Sequence, residues 1–498
     1  MRLVVYALAI IMAAGSVAAA PAPQQTPAAQ PPAASQPPQP QPAPPQSAAP
    51  GPEGHPPPAV PQQGLPATQL PQGERIALAD AVNTALSNQA SVAIAANQVG
   101  QAESGLTIAR SAYWPTLLGD WQWTYTRSHG GQRFTTLGGV PVSVGGAASQ
   151  ERHQTTLSTT YTLFDSGLRK AQLDQARASL VGAASGLDLA RVTLTNRVAS
   201  AYFNLALQQR TVTLAGEQVT QAQQHLDLAN ARIEAGLEAP VDRFRFESDL
   251  ATAQLDLVSA ETNERQAAIT LRDTIGLPAG PALVAEEPPL TPAVAGLPSL
   301  EEDMAAASRL RPDLLQAQAN VRAADASLAQ ARITARPVLN VGTSYIIKAE
   351  PAPSGTNLGV SGALQFPIFD AGLRRAEARS AEKALSSAQL TLTQLHKDVQ
   401  AEVAQARLAV TTAWERINTA AVGVNAAREN LDAVNARYKV GLAIPVEVTD
   451  AELQYFNTEL QAASALYDYF GALAALRNAL GLPTHGFEDL SIANLLKP

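Results

Sequence analysis

The chain has 498 residues and a formal net charge of −8, and this acidic balance excludes a nucleic-acid-binding protein, which needs a basic face. Apolar residues make up 46% of the chain but aromatic residues only 5%, which favours long, closely packed helices over a globular α/β core. The absence of cysteine excludes disulfides, thiol catalysis, cysteine-ligated zinc and lipidation of an N-terminal cysteine.

Two N-terminal segments are expected to precede the folded part. Arg2, an apolar run and small residues up to Ala20 have the form of a secretory signal peptide, 1–20. A membrane anchor is the alternative, but the run is shorter than the roughly 20 residues of a spanning helix. Residues 21–73 are rich in proline, glutamine and alanine, which predicts a disordered tether, with a ligand for a proline-binding module as the alternative.

The remainder of the chain is an internal duplication with an offset of 205 residues. Three motif pairs share this offset, namely ARIEAGLEAP at 231–240 with ARYKVGLAIP at 436–445, FDSGLR at 164–169 with FDAGLR at 369–374, and IGLP at 275–278 with LGLP at 480–483. One offset across three separate motifs indicates a duplicated unit. The predicted parts are repeat 1 at 74–278, a connector at 279–299, repeat 2 at 300–483 and a C-terminal tail at 484–498.

Repeat 1 begins with a helical pattern from Ile76 to Arg110 that stops before Pro115. Alternating apolar and polar residues then predict strands at about 115–127 and 154–164, separated by a Gly-rich loop from Ser128 to Gln150. One side of the first strand is apolar and aromatic, with Leu117, Trp121, Trp123 and Tyr125.

A very long helix follows the FDSGLR turn. Its predicted coiled-coil seam consists of leucines at seven-residue steps, namely Leu173, Leu180, Leu187 and Leu194, with alanines three residues after the first three. A glycine ends this helix and a proline begins the next, so 235–241 is predicted to be the tip of a helical hairpin whose return helix ends at Ile275.

Repeat 2 follows the same plan. Its first helix, from Leu300 to Ala335, is broken by Pro312. Two strands are predicted at about 338–348 and 358–369, and the second hairpin tip at 440–446.

Four strands with one apolar side cannot close a membrane barrel, because single-chain barrels have about eight strands or more. An open sheet edge is not tolerated inside a bilayer. The sequence therefore predicts a membrane β-barrel shared between chains and continued by an all-α coiled-coil tunnel, with a soluble β-ribbon as the alternative.

The order of helix, strand pair, FDxGxR turn and long hairpin, repeated once, resembles the TolC-like outer membrane efflux protein family. The resemblance covers Ile76 to Pro483, and its most specific residues are the two FDxGxR turns and the stretch from Tyr438 to Glu447. It implies a homotrimer in which each chain gives four strands to a shared barrel of about 12 strands. It also implies location in outer-membrane lipid with the tunnel in the periplasm, docking to a periplasmic adaptor (membrane fusion) protein and an inner-membrane pump, and no cofactor.

The candidate site is the second tip, since the chain has neither HExxH nor GxxxxGK and its six histidines are scattered. Glu447 and Asp450 lie three residues apart on one helical face, and a trimer would assemble them into a ring of six carboxylates. Charged rings give pores their ion selectivity. The alternative is that they are solvated acids at a helix N-terminus, stabilised by the helix dipole.

The resemblance implies further site residues. Asp242, the counterpart of Glu447, and Tyr438 would bond across the closed tips. The adaptor-docking tips would be Gly236, Leu237, Gly441 and Leu442, and the strand-to-helix turns would use Asp165, Gly167, Asp370 and Gly372. The chain departs from the family at Ala443, where an arginine would lock the closed state, and we expect Arg243 or Arg245 to substitute for it.

These features predict an outer-membrane exit duct of a tripartite efflux or type I secretion system, gated at its tips and not an enzyme. The alternatives are a periplasmic coiled-coil adaptor or structural protein that spans no membrane, and a secreted hydrolase. An adaptor would have compact soluble β domains in place of the paired strands, and a hydrolase would need a nucleophile–base motif.

Overall fold

The computed structural model describes residues 74–128, 133–144, 148–236, 239–288, 297–349, 355–491 and 494–495. The expected signal peptide and tether, 1–73, lie outside these ranges. The α-helices in these ranges are α1 Leu78–Asn88, α2 Ala90–Ser111, α3 Leu168–Glu234, α4 Pro240–Thr274, α5 Leu300–Leu310, α6 Pro312–Ile333, α7 Leu373–Lys439 and α8 Pro445–Ala479. The strands are β1 Glu74–Ile76, β2 Thr116–Ser128, β3 Arg133–Leu137, β4 Val140–Val144, β5 Ala148–Phe164, β6 Leu283–Ala285, β7 Val338–Ala349 and β8 Gly355–Gln365.

The predicted strands form one antiparallel four-stranded sheet in the order β2-β5-β7-β8. The two repeats meet in its centre, where β5 pairs with β7 and Leu157 lies opposite Tyr345. The edges are β2 and β8, strands of 13 and 11 residues. β8 ends at Gln365, four residues before the expected end, and Pro367 follows, which has no N–H for a ladder bond.

The expected Gly-rich loop between β2 and β5 contains secondary structure, which corrects the prediction for Ser128 to Gln150. β3 and β4 form a hairpin, and Gly138 and Gly139 between them have φ values of +60° and +85°. Two successive positive φ values are typical of the type I′ turn that suits hairpins. β5 consequently begins at Ala148, six residues before its expected start.

The first predicted helix is divided at Gln89, so the expected single helix from Ile76 to Arg110 is wrong. Gln89 has an extended backbone, with ψ 124°, and its side-chain amide donates to the carbonyls of Asp273 (3.0 Å) and Thr274 (2.8 Å). These carbonyls end α4 and have no partner within the helix. The break between α1 and α2 therefore lets the Gln89 side chain cap the C-terminal end of α4, almost two hundred residues later in the chain.

The predicted connector also contains structure, because β6 pairs in parallel with β1. The hydroxyl of Tyr202, on α3, lies 3.1 Å from the carbonyl oxygen of Ile76 and 2.9 Å from that of Glu286. Tyr202 is fully buried. One tyrosine thus fixes this two-stranded sheet against the long helix of repeat 1.

Each long helix, α3 and α7, has 67 residues and is about 100 Å long at 1.5 Å per residue. α3 packs against α2 and α4 of its own repeat and against α6 and α8 of repeat 2. Its most buried heptad row is not the expected leucine seam, where Leu173, Leu180 and Leu187 are only half-buried. The row consists mainly of small residues, namely Ala171, Ala178, Ser185, Val192, Ala199 and Ala206. Small side chains let the neighbouring helices approach α3 closely on both sides.

Both repeats end in the same local structure. Gly276 and Gly481 have φ values of +73° and +82° and end α4 and α8. Arg272 donates from Nε to the carbonyl of Pro278 at 2.6 Å, and Arg477, 205 residues later, donates from Nε to that of Pro483 at 3.2 Å. The duplication therefore extends to individual side-chain contacts.

Two apolar clusters hold the helices together. The larger joins the middle of α3 and α7 to α1, the end of α4, β6 and the end of α8. The smaller lies near the hairpin tips and joins α3, α4, α7 and α8. In the part of the chain that the structure describes, no helix is long and apolar enough to cross a membrane.

Candidate functional site

The second hairpin tip is closed by backbone hydrogen bonds and by one arginine. Gly441 has φ +77°, its N–H donates to the carbonyl of Tyr438 (2.9 Å), and the N–H of Leu442 donates to that of Arg437 (2.8 Å). This is the Schellman arrangement of helix ends. The Arg437 guanidinium also donates to the carbonyl of Leu442 (3.1 Å) and lies 3.2 Å from a carboxylate oxygen of Glu447. Glu447 is therefore paired within its own tip.

The first tip uses Gly236, at φ +70°, whose N–H donates to the carbonyl of Ile233 at 3.0 Å. Leu237 and the side chain of Asp242 lie outside the described residues, so the bonds of Asp242 and Tyr438 across the closed tips stay a prediction. In the single chain Arg243 forms an ion pair at 2.6 Å with Glu247, one turn along its own helix, and the expected lock by Arg243 or Arg245 stays a prediction.

Tyr438 is enclosed between the two hairpins of the chain. Its side chain is fully buried, with ring centroids 6.3 Å from Phe246 on α4 and 6.5 Å from His225 on α3. Ala443 is buried in the same cluster, as are Val434, Val448 and Ala451. Ala443 thus fills an apolar position and offers no lock of its own.

Arg232 supplies a contact between the hairpins that the sequence did not indicate. Its guanidinium carbon lies 4.9 Å from the ring centroid of Tyr438, and Nη1 donates to the Tyr438 carbonyl at 2.7 Å. Its Nη2 lies close to Gly441, where an added Cβ would be 3.6 Å away. A charge on α3 of repeat 1 is therefore held against the tip of repeat 2.

Further polar contacts join the hairpins behind the tips. Nε2 of His225 on α3 is in contact with a carboxylate oxygen of Glu452 on α8. The hydroxyl of Thr449 donates to a carboxylate oxygen of Asp249 on α4 at 3.1 Å. Asp450, the second acid of the expected ring, is exposed and lies beside these contacts on α8. Glu447 and Asp450 thus occupy one end of α8, with Glu447 paired and Asp450 facing solvent in the single chain.

The two strand-to-helix turns are capped by the expected aspartates. Asp165 accepts hydrogen bonds from the N–H of Gly167 (3.1 Å), from the N–H of Arg169 (2.7 Å) and from its Nε (2.9 Å). Repeat 2 has the equivalent contacts, with Asp370 accepting from Gly372 N–H at 3.0 Å and from Arg374 N–H at 3.3 Å. Gly167 and Gly372 have φ values of +97° and +88°, which glycine adopts without strain.

Asp165 is expected to stabilise the protein in its charged form. Burial raises the pKa of Asp165, but the hydrogen bonds from Arg169 and Gly167 and the charge of Arg169 outweigh burial and leave it below its usual value. A lowered pKa contributes stability that is complete above the unfolded value, about 3.9, and is lost as the pH falls through the folded value. We expect Asp165→Asn to lower the unfolding free energy by about 1–2 kcal/mol at pH 7 and to flatten its acid dependence.

Thermal unfolding between pH 2 and pH 7 measures this effect. Asp174→Asn is the control, because Asp174 forms an exposed ion pair with Arg177 one turn later on the same helix. An equal loss of stability in both variants at pH 7 would contradict the role of Asp165.

The described residues contain no group of three or more histidine, aspartate or glutamate side chains that could hold a metal ion. The tip contacts are ion pairs, hydrogen bonds and aromatic contacts. Such an arrangement can hold two hairpins together or release them.

Comparison with known proteins places the whole duplicated part in one family. The model of the outer membrane efflux protein family matches twice, at residues 81–277 and 305–482. Nodulation protein T of Rhizobium leguminosarum bv. trifolii is 24% identical over 437 residues, covering 83% of this chain and 86% of that protein. Outer membrane protein TolC of Escherichia coli K12 is 27% identical over 361 residues, covering 69% and 72%.

A solved structure shares the fold. The Campylobacter jejuni CmeC outer membrane channel superposes with a TM-score of 0.71 at 14% identity, covering 81% of this chain and 85% of that chain. This likeness, together with the two tandem repeats, the four-stranded sheet and the long helical hairpins, confirms the fold class expected from the sequence. Because the family model covers most of the chain in two successive matches, the chain belongs to the outer membrane efflux protein family.

Proposed function

We propose that the chain is the outer-membrane exit duct of a tripartite efflux or type I secretion system. It is a passive conduit across the outer membrane and periplasm, gated at its periplasmic helical tips, and not an enzyme. The observation that carries the proposal is the four-stranded sheet with two open edges, β2 and β8. Large apolar side chains are exposed along it, including Trp121 and Trp123 on β2 and Leu358 and Val360 on β8.

The edges suit closure by further copies of the same chain. Inside the chain, β5 of repeat 1 pairs with β7 of repeat 2. By their order in the two repeats, β8 corresponds to β5 and β2 corresponds to β7. Since β5 pairs with β7 within the chain, β8 can pair in the same way with β2 of the next copy. Closure removes every open edge, as a bilayer requires. Three copies give about 12 strands, an even number as in known barrels.

The helices support the same assembly. α3 packs on both sides, against its own repeat and against α6 and α8. α7, its counterpart, packs against α5, α6 and α8 of its own repeat, and leaves Leu390, Leu408 and Val422 exposed. α2 and α4 expose apolar residues as well, including Ile108, Leu255 and Val258. By repeat equivalence, α7 packs against α2 and α4 of the next copy in a homotrimer.

The tips are the proposed docking site for a periplasmic adaptor protein. The adaptor in turn connects the duct to an inner-membrane pump. Val440, Leu442 and Ile444 are exposed at the second tip, and Val241 and Phe244 beside the first. Exposed apolar patches of this kind mark protein interaction sites. An adaptor or structural protein that spans no membrane is the weaker alternative, because long strands with exposed tryptophans would then face water.

The acidic pair Glu447 and Asp450 is proposed to select cations at the gate. We expect the double variant Glu447→Gln, Asp450→Asn to lose most of the cation preference. The affinity of blocking multivalent cations should fall about tenfold or more. The reason is that three exposed Asp450 carboxylates and three Glu447 carboxylates, each of the latter paired with one Arg437, leave a net negative charge near the constriction. We expect this charge to attract cations with about 1.4 kcal/mol, which is a factor of ten. Reversal potentials in a salt gradient and block titrations in planar bilayers measure both effects.

The matched control is Glu429→Gln, Asp432→Asn. These two acids are also exposed and three residues apart, but they lie on α7, about 15 Å before the helix ends at the tip. Unchanged selectivity in the tip variant, or an equal change in the control, would contradict the ring.

A further inference from the structure

A cationic cavity lies where β8 leads into α7. Its volume is about 540 Å³, within the roughly 300–1,000 Å³ typical of small-molecule sites. The end of α6 and the first turns of α7 form its walls, which include Arg332, Arg374 and Arg375. One carboxylate, Asp370, also lines it. Three guanidinium groups against one carboxylate favour an anionic occupant.

Only one of the three arginines is committed to the protein. Arg374 lies 3.1 Å from the Asp370 carboxylate and donates from Nε to the carbonyl of Thr334 at 2.9 Å. Arg332 and Arg375 are exposed, and neither forms an ion pair with a described residue. Two guanidinium groups thus remain available to an anion with several oxygen acceptors, such as a phosphate group.

The cavity borders an apolar surface. Ile368 and Phe369, which precede α7, are each 88% exposed, and Phe369 also lines the cavity. The cationic side chains and the exposed apolar side chains beside them together form an amphipathic surface. A free phosphate ion would use only the cationic part, whereas a phospholipid would use both.

The equivalent positions of repeat 1 have the same character. Arg110 lies five residues before Pro115, as Arg332 does before Pro337, and the first turn of α3 has Arg169 and Lys170. The apolar pair returns as Leu163 and Phe164, which are also exposed. This duplicated cationic pattern lies in a chain whose net charge is −8, so it is not a consequence of overall composition.

We infer that the cavity between α6 and α7 binds the phosphate group of an anionic phospholipid of the periplasmic leaflet. Arg332 and Arg375 hold the phosphate, and the acyl chains lie against Ile368 and Phe369. The inference rests on the proposed membrane location, since the strands end at this level. Basic pockets at the ends of membrane-spanning elements bind lipid headgroups in this way. The bound lipid would fix the level of the strand-to-helix turn in the membrane.

Native mass spectrometry of the detergent-purified protein, titrated with dioleoyl phosphatidylglycerol, tests the inference. Dioleoyl phosphatidylcholine and inorganic phosphate are the comparison ligands. We expect saturable binding of phosphatidylglycerol, one molecule per chain at the described cavity, in preference to both. The double variant Arg332→Gln, Arg375→Gln should bind phosphatidylglycerol about thirtyfold more weakly. The reason is that each cation near a membrane surface contributes roughly a factor of five to the affinity.

The control Lys397→Gln, Arg428→Gln removes the same charge from exposed positions further along α7 and should bind as the parent protein does. Equal retention of phosphatidylcholine, or unchanged binding in the cavity variant, would overturn the inference. Tight binding of inorganic phosphate alone would show an anion site and overturn its lipid assignment. Bilayer conductance of the same preparations tests the proposed duct separately from the lipid site. Protein that conducts but shows no preference for phosphatidylglycerol would contradict the lipid site and leave the duct standing.

Discussion

Arg232→Ala is expected to open the duct. In each chain the substitution removes a charge-assisted hydrogen bond to the Tyr438 carbonyl and a cation–π contact with the Tyr438 ring. Together these are worth about 2 kcal/mol or more at a partly buried site, which corresponds to roughly thirtyfold in an equilibrium constant. The contact joins repeat 1 to the tip of repeat 2, so it is lost when the hairpins separate. The expected result is a large increase in the open fraction of single-channel records and a higher mean conductance.

The control for this experiment is Arg243→Ala. Arg243 is also close to a tip, but its ion pair with Glu247 stays within α4 and joins no hairpins. Arg232→Lys should be intermediate, because lysine keeps the charge but not the planar fork of donors. Parent-like gating in Arg232→Ala would show that the hairpins are held elsewhere, with the contact between His225 and Glu452 as the next candidate.

Gly481→Ala is expected to have the largest effect on folding. Gly481 has φ +82°, and a Cβ there would lie 2.6 Å from Cα and 2.9 Å from N of Arg311. The backbone of Arg311 cannot move away easily, since its side chain is held by Asp313, Glu402 and the carbonyl of Ala479. Left-handed strain of about 1–2 kcal/mol and overpacking of about 1–3 kcal/mol should together cost roughly 3 kcal/mol or more.

Thermal unfolding and the yield of assembled protein measure this cost. Gly236→Ala is the matched control, because Gly236 has φ +70° but nothing within 4 Å of an added Cβ. The control variant should lose only the backbone term of about 1–2 kcal/mol. Equal losses in the two variants would show that the close approach to Arg311 contributes nothing.

The duplicated order of elements could be predicted because it depends on residues that are close together in the sequence. The FDxGxR turns need left-handed residues, and the aspartate two positions before each glycine caps the following helix, so their spacing is fixed by backbone geometry. The strands alternate strictly, and the Gly–Pro tips end one helix and begin the next. Each of these features depends on neighbours within a few residues.

The missing features depend on partners far away in the chain. Gln89 breaks a helix without glycine or proline, because its amide caps α4. β1 and β6 are three residues each and are fixed by Tyr202, a core residue of another helix. The small-residue row of α3 is buried more deeply than Leu173, Leu180 and Leu187 of the expected seam, because helices pack on both sides of α3.

The candidate site was predicted only in outline for the same reason. The family resemblance pointed to Tyr438, and the spacing of the acids of α8 pointed to Glu447 and Asp450, which lie next to a recognisable tip. Arg232 could not be assigned as their partner, because about two hundred residues separate it from Tyr438. The one available signal was its spacing of seven residues from His225, which places both on the face of α3 that meets the second hairpin.

Single-channel recording of the purified, detergent-solubilised protein in a planar bilayer tests the central claim most directly. We expect small, cation-preferring conductance steps, because the hairpins are held together at the tips and acidic residues lie beside them. Failure to insert, by protein that stays soluble without detergent, would contradict the duct and favour a periplasmic coiled-coil protein that spans no membrane.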